Sequence, residues 1–102
     1  MNAPIPASEA PSAAGIARVA VVTGAAGDLG HGMVAAFLAK GMQVAALDLD
    51  ADAVAARWPG VPDGLLCLSC HVADEAQVAS AVQAVRSRYG RIDILVNNAA
   101  VV

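Results

Sequence analysis

The sequence predicts an α/β fold in which helices cover both faces of a parallel sheet. Short apolar runs of strand length alternate with longer helical patterns, and hydrophobic residues make up 58% of the 102 residues. Strands that are apolar throughout are buried on both faces, as in parallel sheets. Because crossovers between parallel strands are right-handed, the order β-α-β-α-β-α-β predicts a doubly wound sheet, truncated after its fourth strand.

The N-terminal segment and the charge balance limit the possible partners and locations. Residues 1–16 are rich in Ala, Pro and Ser and predict a disordered tail, which leaves residues 17–102 for a partial domain. The net charge of -3, without any basic run, argues against nucleic acid and anionic membranes as partners. No apolar run approaches the roughly 18 residues of a membrane span, and no secretory signal is recognised. We therefore expect a cytoplasmic protein with free thiols.

The first strand and helix begin near Arg18, where the segment rich in Ala, Pro and Ser gives way to an apolar run. RVAVVTG is a β-branched apolar run that ends at a glycine, which is typical of a buried strand. In the following DLGHGMVAAFLAK, Leu29, Met33 and Phe37 recur every four residues and predict one apolar helix face. Gly41 then allows a left-handed C-terminal cap.

Three further strands and two helices follow with short connections. MQVAALD, LLCLSC and RIDILVNNA predict strands because each is apolar and of strand length. DADAVAARW predicts a short helix with Asp50 or Asp52 as its N-cap, stopped at Pro59. ADEAQVASAVQAVRSRYG predicts the longest helix, beginning at the capping pair of Asp74 and Gln77. Its expected apolar stripe consists of Val78, Val82, Val85 and Tyr89.

The turn between the first strand and the first helix carries the motif with chemical meaning. In TGAAGDLG, glycines stand at positions 24, 27 and 30. They allow a tight turn, close approach of the backbone to a pyrophosphate, and close packing of helix on strand. The helix N-terminus offers free N–H donors to that phosphate. A glycine triplet in this strand–turn–helix context is typical of the Rossmann-type dinucleotide-binding fold.

Asp48 supports the same interpretation from the end of the second strand. It follows Gly30 by 18 residues, where a carboxylate accepts hydrogen bonds from the adenosine ribose hydroxyls. A carboxylate there repels the additional phosphate of NADP, and neither Arg nor Lys follows it directly. The sequence therefore favours NAD as the cofactor, with NADP less favoured.

Four segments together resemble the N-terminal half of the short-chain dehydrogenase/reductase family: TGAAGDLG, ALDLD, HVADEAQV and DILVNNAA. The resemblance runs from about Arg18 to Ala100 and implies a nicotinamide-dependent oxidoreductase acting on an alcohol or carbonyl. It places the adenine beside His71 and the nicotinamide-side ribose above the segment from Asn97 to Ala100. The cofactor-binding residues implied are Thr23, Gly24, Gly27, Asp28, Leu29, Gly30, Asp48, Leu49, His71, Val72, Asn98, Ala99 and Ala100.

Three positions differ from the usual family pattern. Asp28 stands where the commonest turn, TGxxxGxG, has glycine; a carboxylate there suits the helix dipole but repels a bound pyrophosphate. His71 stands where the family usually has an aspartate that accepts a bond from the adenine amino group, and a neutral imidazole can also accept one. Ala100 replaces the glycine of the usual NNAG.

No catalytic residue is expected within the 102 residues. The family's chemistry needs a serine and a Tyr-x-x-x-Lys pair beyond the fourth strand, whereas the single tyrosine, Tyr89, precedes GRID and the single lysine, Lys40, closes the first helix. Two functions remain open. The chain is the NAD-binding half of an enzyme whose missing C-terminal half binds a small-molecule substrate, or it is a catalytically inactive nucleotide-binding remnant or regulatory module.

The fourth strand is expected to have a free edge. In a doubly wound sheet of order 3-2-1-4-5-6 this strand is central, but here its ILV segment has no outer neighbour. Unpaired edges pair with other chains. We therefore expect a fragment of a longer enzyme that forms homo-oligomers through this edge.

CLSCH, residues 67–71, matches the C-x-x-C-H pattern of c-type haem attachment, and its two cysteines also fit half a zinc site or a redox dithiol. Residues three apart on a strand point to opposite faces. Cys67 and Cys70 are therefore poorly placed to bind the same haem or zinc ion or to bond to each other. We interpret them as small apolar residues of the sheet and predict no metal site.

Overall fold

A computed structural model describes residues 17–99, so the predicted tail over residues 1–16 and the predicted site residue Ala100 lie outside the described residues. The elements alternate as predicted. The strands are β1 (Val19–Thr23), β2 (Gln43–Asp48), β3 (Leu65–Ser69) and β4 (Ile94–Val96). The helices are α1 (Asp28–Ala39), α2 (Ala51–Ala55) and α3 (Glu75–Tyr89).

The four strands form one parallel sheet in the order β3-β2-β1-β4. Val21 of β1 is opposite Ala45 on one side and Leu95 on the other, which makes β1 a central strand. The chain moves outward from β1 to β3 and then returns to the other side of β1. This reversal between β1 and β4 is the switch point at which doubly wound sheets bind ligands, and it confirms the predicted Rossmann-type fold.

The two faces of the sheet bury separate apolar clusters. Val22, Val44 and Leu65 face α1 and α2, where Val34 and Val54 complete the cluster. The opposite face is covered by α3, and its cluster consists of Val19, Val21, Ala45, Leu47, Cys70, Ala81 and Val85. Consecutive residues of β1 thus alternate between the two clusters, as the pleat of a strand requires.

The helix faces match the predicted stripes only in part: Met33 and Phe37 of α1 and Tyr89 of α3 pack against the two clusters, and Val85 is buried in one of them. The buried residues of α1 are Gly30 and Val34, whereas Leu29 is 68% exposed. In α3 the buried residues are Ala81 and Val85, and the predicted Val78 and Val82 remain partly open to solvent. Each helix also buries a small residue that the stripes did not include: Gly30 rests against the turn after β1, and Ala81 belongs to the cluster under α3.

The helix ends follow the predicted capping residues. Asp50 caps α2 by accepting from the Asp52 N–H at 2.9 Å. Asp74 caps α3 by accepting from the Ala76 and Gln77 N–H groups, and Gly90 ends it with a φ of 81°. α2 stops at Ala55, short of the predicted end near Trp58. None of the helices described over residues 17–99 is long and apolar enough to cross a membrane.

Candidate functional site

The turn after β1 folds back on itself and is attached to the neighbouring strand. Gly24 has a φ of 64°, a left-handed conformation that glycine adopts without strain. Its carbonyl oxygen accepts from the Gly27 N–H at 3.3 Å, and the Ala25 N–H donates to the Leu47 oxygen of β2 at 3.0 Å. The turn is therefore held in a fixed position above the sheet.

The three glycines of this turn serve different purposes. A methyl group on Gly30 would overlap the carbonyl oxygen of Gly24, and one on Gly24 would lie 2.9 Å from the Asn98 side-chain nitrogen. Packing within the protein thus excludes any side chain at both positions. At Gly27 the nearest atom to such a methyl group is 3.7 Å away, an ordinary contact. Gly27 instead lines an open cleft, which fits the close approach of a ligand.

The N-terminus of α1 is open toward this cleft. Gly27 is the N-cap residue in an extended conformation, and within the described chain no side chain caps the helix there. The first N–H groups of a helix have no partner inside the helix, and the helix dipole adds a partial positive charge. Such an end is suited to an anion like phosphate.

Thr23 joins the turn to the segment after β4. Its hydroxyl oxygen accepts from the N–H groups of Asn98 at 2.9 Å and Ala99 at 3.0 Å. The same hydroxyl lies 3.3 Å from the Val96 carbonyl oxygen, to which it donates. The Asn98 side chain donates to the Gly24 oxygen at 3.3 Å. Thr23 is 6% exposed and acts beneath the cleft, where it holds the two cleft-lining loops together.

Asp48 lies at the carboxyl end of β2 with its carboxylate fixed by two backbone groups. One oxygen accepts from the Ala26 N–H at 2.9 Å, and the other accepts from the Leu49 N–H at 2.7 Å. Each carboxylate oxygen can accept further bonds, so the group remains able to receive two hydroxyl donors. The site is thereby preorganised for a diol such as a ribose.

The cleft has a volume of about 470 Å³ and runs along the carboxyl ends of β1, β2 and β3. Eight of the predicted residues line it: Gly24, Gly27, Asp48, Leu49, His71, Val72, Asn98 and Ala99. Leu47 and Cys70 also line it and were not predicted, although both are direct sequence neighbours of predicted residues. Thr23 and Gly30 support the cleft from below.

Asp28 and Leu29, also predicted as cofactor-binding residues, are not among the residues that line the cleft. The Asp28 carboxylate pairs with the Arg57 guanidinium at 3.1 Å. Arg57 also donates to the Ala26 oxygen of the glycine turn at 3.0 Å. Sequence reasoning missed Arg57, since nothing local indicates that the residue after α2 returns to this turn.

His71 begins a tight turn between β3 and α3. Its backbone N–H donates to the Gln77 side-chain oxygen at 2.8 Å, and its carbonyl oxygen accepts from the Asp74 N–H at 2.9 Å. The ring Nδ1 accepts from the Ala73 N–H at 3.2 Å. Both backbone and ring are therefore fixed while the side chain lines the cleft.

The two cysteines lie on opposite faces of the sheet, as predicted. Cys70 belongs to the cluster under α3, and Cys67 packs against the cluster under α1 and α2. Burial raises the pKa of both thiols, which favours the protonated form over the metal-binding thiolate. Over residues 17–99, no three His, Cys, Asp or Glu side chains are grouped to hold a metal ion.

A family model for the short chain dehydrogenases matches residues 18–102. The chain belongs to the short chain dehydrogenase family. It is 45% identical over 87 residues to a D-threitol dehydrogenase of Mycolicibacterium smegmatis, covering 82% of this chain and 34% of that protein. The chain thus spans about a third of the length of this curated relative.

Two solved structures of dehydrogenase-family architecture are also similar. One is a 3-ketoacyl-(acyl-carrier-protein) reductase from Brucella melitensis complexed with NADH, with a TM-score of 0.78 and 35% identity over 84% of this chain and 35% of that one. The other is the N-domain, with NADP, of a bacterial malonyl-CoA reductase, with a TM-score of 0.77 and 36% identity over 84% and 17% of the two chains. The two differ in the cofactor that they carry.

Two residues outside the cleft, Tyr89 and Asp93, make structural contacts. Tyr89 packs against the cluster under α3 with its hydroxyl buried, and burial raises its pKa. Asp93, just before β4, accepts from the Val19 N–H at 2.8 Å and pairs with Arg91. It thereby ties the beginning of β1 to the beginning of β4.

Proposed function

We propose that this chain is the cofactor-binding part of a dehydrogenase that transfers hydride between a nicotinamide dinucleotide and an alcohol or carbonyl substrate. The observation that carries the proposal is the position of the Asp48 carboxylate in the same cleft as the open N-terminus of α1. A dinucleotide needs a phosphate site and a ribose site side by side, and this cleft offers both. Similarity to dehydrogenases and reductases favours this function over a regulatory module without chemistry.

The phosphate part of the proposal is supported by Gly27. Its position lines the cleft, and the packing of the protein gives no reason for a glycine there. A bound pyrophosphate supplies that reason, because it approaches the backbone more closely than a side chain allows. The helix dipole of α1 stabilises the negative charge at the same place.

We further propose NAD rather than NADP, on the basis of Asp48. A phosphate on the ribose would face a carboxylate that two N–H groups hold in place. None of the residues that line the described cleft is Arg or Lys to compensate for the repulsion. Arg57, the nearby cation, is paired with Asp28 and bonded to the Ala26 oxygen.

A fluorescence titration of the purified protein with NADH and NADPH tests the proposal. We expect NADH to bind at least about tenfold more tightly, since one repelled charge costs about 1.4 kcal/mol or more at close range. Asp48→Ala should weaken NADH binding and reduce the preference, and Gly27→Ala should weaken both ligands. Asp63→Ala, an exposed loop carboxylate, is the matched control. Absence of NADH binding in the wild type refutes the proposed function.

Proton transfer to the substrate is proposed to depend on residues outside 17–99. The Tyr89 hydroxyl is buried under α3, and Lys40 follows the end of α1 rather than lining the cleft. Neither can reach a substrate held beside the nicotinamide. A Tyr89→Phe variant should therefore bind NADH as the wild type does, measured in the same titration.

The outer edge of β4 is proposed to pair with a second copy of the chain. Leu95 in this strand is 65% exposed, and within residues 17–99 only β1 pairs with β4. An apolar strand with an open edge is a template for pairing. Light scattering coupled to size-exclusion chromatography should show a dimer that Leu95→Lys converts to a monomer; a wild-type monomer contradicts the proposal.

A cytoplasmic location is proposed from the state of the two thiols. Cys67 and Cys70 are free thiols. They lie on opposite faces of the sheet, so they are poorly placed to form a disulfide with each other. Free buried thiols suit a reducing compartment. Cell fractionation with an antibody against the protein tests the location.

A further inference from the structure

His71 lines the cleft, and the ring nitrogen that makes no bond within the protein is a hydrogen-bond donor, which reverses the expectation that this side chain accepts. A neutral imidazole has one N–H and one acceptor nitrogen. Its Nδ1 is already occupied as the acceptor of the Ala73 N–H at 3.2 Å. Hydrogen positions are assigned from such bonds, and this bond assigns the proton to Nε2. The free ring nitrogen is therefore a donor.

The local turn explains why histidine fits this position. A side-chain oxygen of Asp or Asn commonly accepts from the N–H two residues later, and His71 Nδ1 does the same with Ala73. The Gln77 side chain accepts from the backbone N–H of His71 and fixes the turn from the other side. Histidine thus reproduces the turn that an aspartate makes, but it exposes N–H where a carboxylate exposes oxygen.

The place of His71 in the cleft determines which part of a ligand meets this donor. Asp48, Leu49, His71 and Val72 line the end of the cleft away from Asn98. A ribose bonded to Asp48 carries its base on the next atom of the sugar, so the base occupies the space between Leu49 and the His71–Val72 segment. Leu49 is 68% exposed and offers an apolar surface to one face of the base.

We propose that His71 donates a hydrogen bond to the edge of the base, so that the cleft binds a 6-oxopurine dinucleotide at least as tightly as a 6-aminopurine one. With the 6-position of the base facing His71, a 6-amino group and the His71 N–H are both donors and repel, whereas a 6-oxo group accepts the N–H. The proposal rests on the proposed function, in which the cleft holds a nicotinamide dinucleotide. It makes His71 a residue that determines base specificity.

The test compares NADH with reduced nicotinamide hypoxanthine dinucleotide, which differs by the 6-oxo group and the N1 proton of its base. Dissociation constants are measured by fluorescence at about pH 8.5, where ordinary imidazole is neutral. Two variants whose side chains are nearly isosteric with each other distinguish a donor from an acceptor at position 71. In His71→Asn the amide oxygen takes the Ala73 N–H and the NH₂ faces the base, as in the wild type. In His71→Asp an oxygen faces the base instead.

We expect the wild type and His71→Asn to bind the hypoxanthine dinucleotide as tightly as NADH or more so. His71→Asp should shift the ratio of the two dissociation constants toward NADH by about fivefold, the effect of one hydrogen bond. A wild-type preference for NADH of fivefold or more, or equal ratios in the two variants, overturns the proposal and leaves the proposed function intact. Failure of the wild type to bind either dinucleotide overturns both.

A second measurement needs no ligand. Imidazole ¹⁵N spectra of the purified protein distinguish the two neutral tautomers of His71, assigned by comparison with His71→Asn. A proton on Nε2 supports the proposal. A proton on Nδ1 overturns the proposal irrespective of the measured dissociation constants, because the other ring nitrogen, Nε2, would then be an acceptor.

Discussion

Arg57 holds the Asp28 carboxylate at the outer side of the glycine turn, with 3.1 Å between the guanidinium nitrogen and the carboxylate oxygen. The same guanidinium donates to the Ala26 oxygen at 3.0 Å. The negative charge that the sequence places at the start of α1 is therefore paired, and Asp28 is not among the residues that line the cleft. A carboxylate at position 28 is for this reason compatible with the phosphate site proposed at the N-terminus of α1.

This ion pair predicts that substitutions of Asp28 and Arg57 lower the free energy of unfolding by different amounts. Asp28 is fully exposed, so Asp28→Asn should leave the free energy of unfolding nearly unchanged, as is usual for surface ion pairs. Arg57→Met removes the bond to the turn as well and should cost about 1 kcal/mol more. Urea unfolding measures both, with Arg86→Met on α3 as a control. An equal loss of stability in the two variants would show that the bond from Arg57 to the Ala26 oxygen contributes nothing.

The packing of α1 predicts opposite outcomes for two glycines of the same helix. Gly30→Ala places a methyl group against the Gly24 carbonyl and should destabilise the fold by about 3 kcal/mol or more, the upper range for overpacking. Gly32→Ala meets no atom within 4 Å and should stabilise the helix by about 0.5–1 kcal/mol. Thermal unfolding of both variants checks the pair. A Gly30→Ala protein as stable as the wild type would contradict the close contact.

The bonds of Thr23 predict a difference between valine and serine at this position. Thr23→Val leaves the Asn98 and Ala99 N–H groups without their acceptor and should cost about 2 kcal/mol, whereas Thr23→Ser keeps it. Hydrogen exchange of those two amides gives a local measurement. They should exchange faster in the valine variant only; equal protection in both variants would place the acceptor elsewhere.

The environment of Asp93 predicts a loss of stability in acid. The bond from Arg91, then the Val19 N–H, holds the pKa of the Asp93 carboxyl below its ordinary value. A lowered native pKa contributes stability that is present above the ordinary value of about 4 and is lost as the pH falls through the lowered native value. Wild-type melting temperature should thus fall more steeply below pH 4 than that of Asp93→Asn. Parallel curves for the two proteins would exclude this contribution.

The order of elements and the glycine turn follow from local sequence, and for that reason they were predictable. Apolar runs, capping residues such as Asp74 and the left-handed Gly90 depend on neighbours within a few positions. Strand order then follows from the handedness of the crossovers. The spacing of Asp48 from the glycine turn and the family resemblance at His71 therefore predicted two residues that line the cleft.

Side-chain directions depended on contacts between distant residues and were not predictable. The predicted stripe of α1 was wrong at Leu29, although Met33 and Phe37 do pack against the cluster, because Gly30 lets α1 rest directly on the turn, a contact that periodicity does not contain. The direction of Asp28 depends on Arg57, which follows a different helix. Whether His71 donates or accepts depends on the Ala73 N–H, since residue type alone permits both.

The bonds of Thr23 also bear on the order in which this protein matures. Thr23 and Asn98 are 75 residues apart, and their contact requires β4, the last of the described strands, to have docked on β1. Pairings between distant segments form late, because a long loop must close before they are made. The cleft is thus complete only once β4 has docked on β1. A ligand of the cleft would bind only chains that have passed this step and would draw the folding equilibrium toward them.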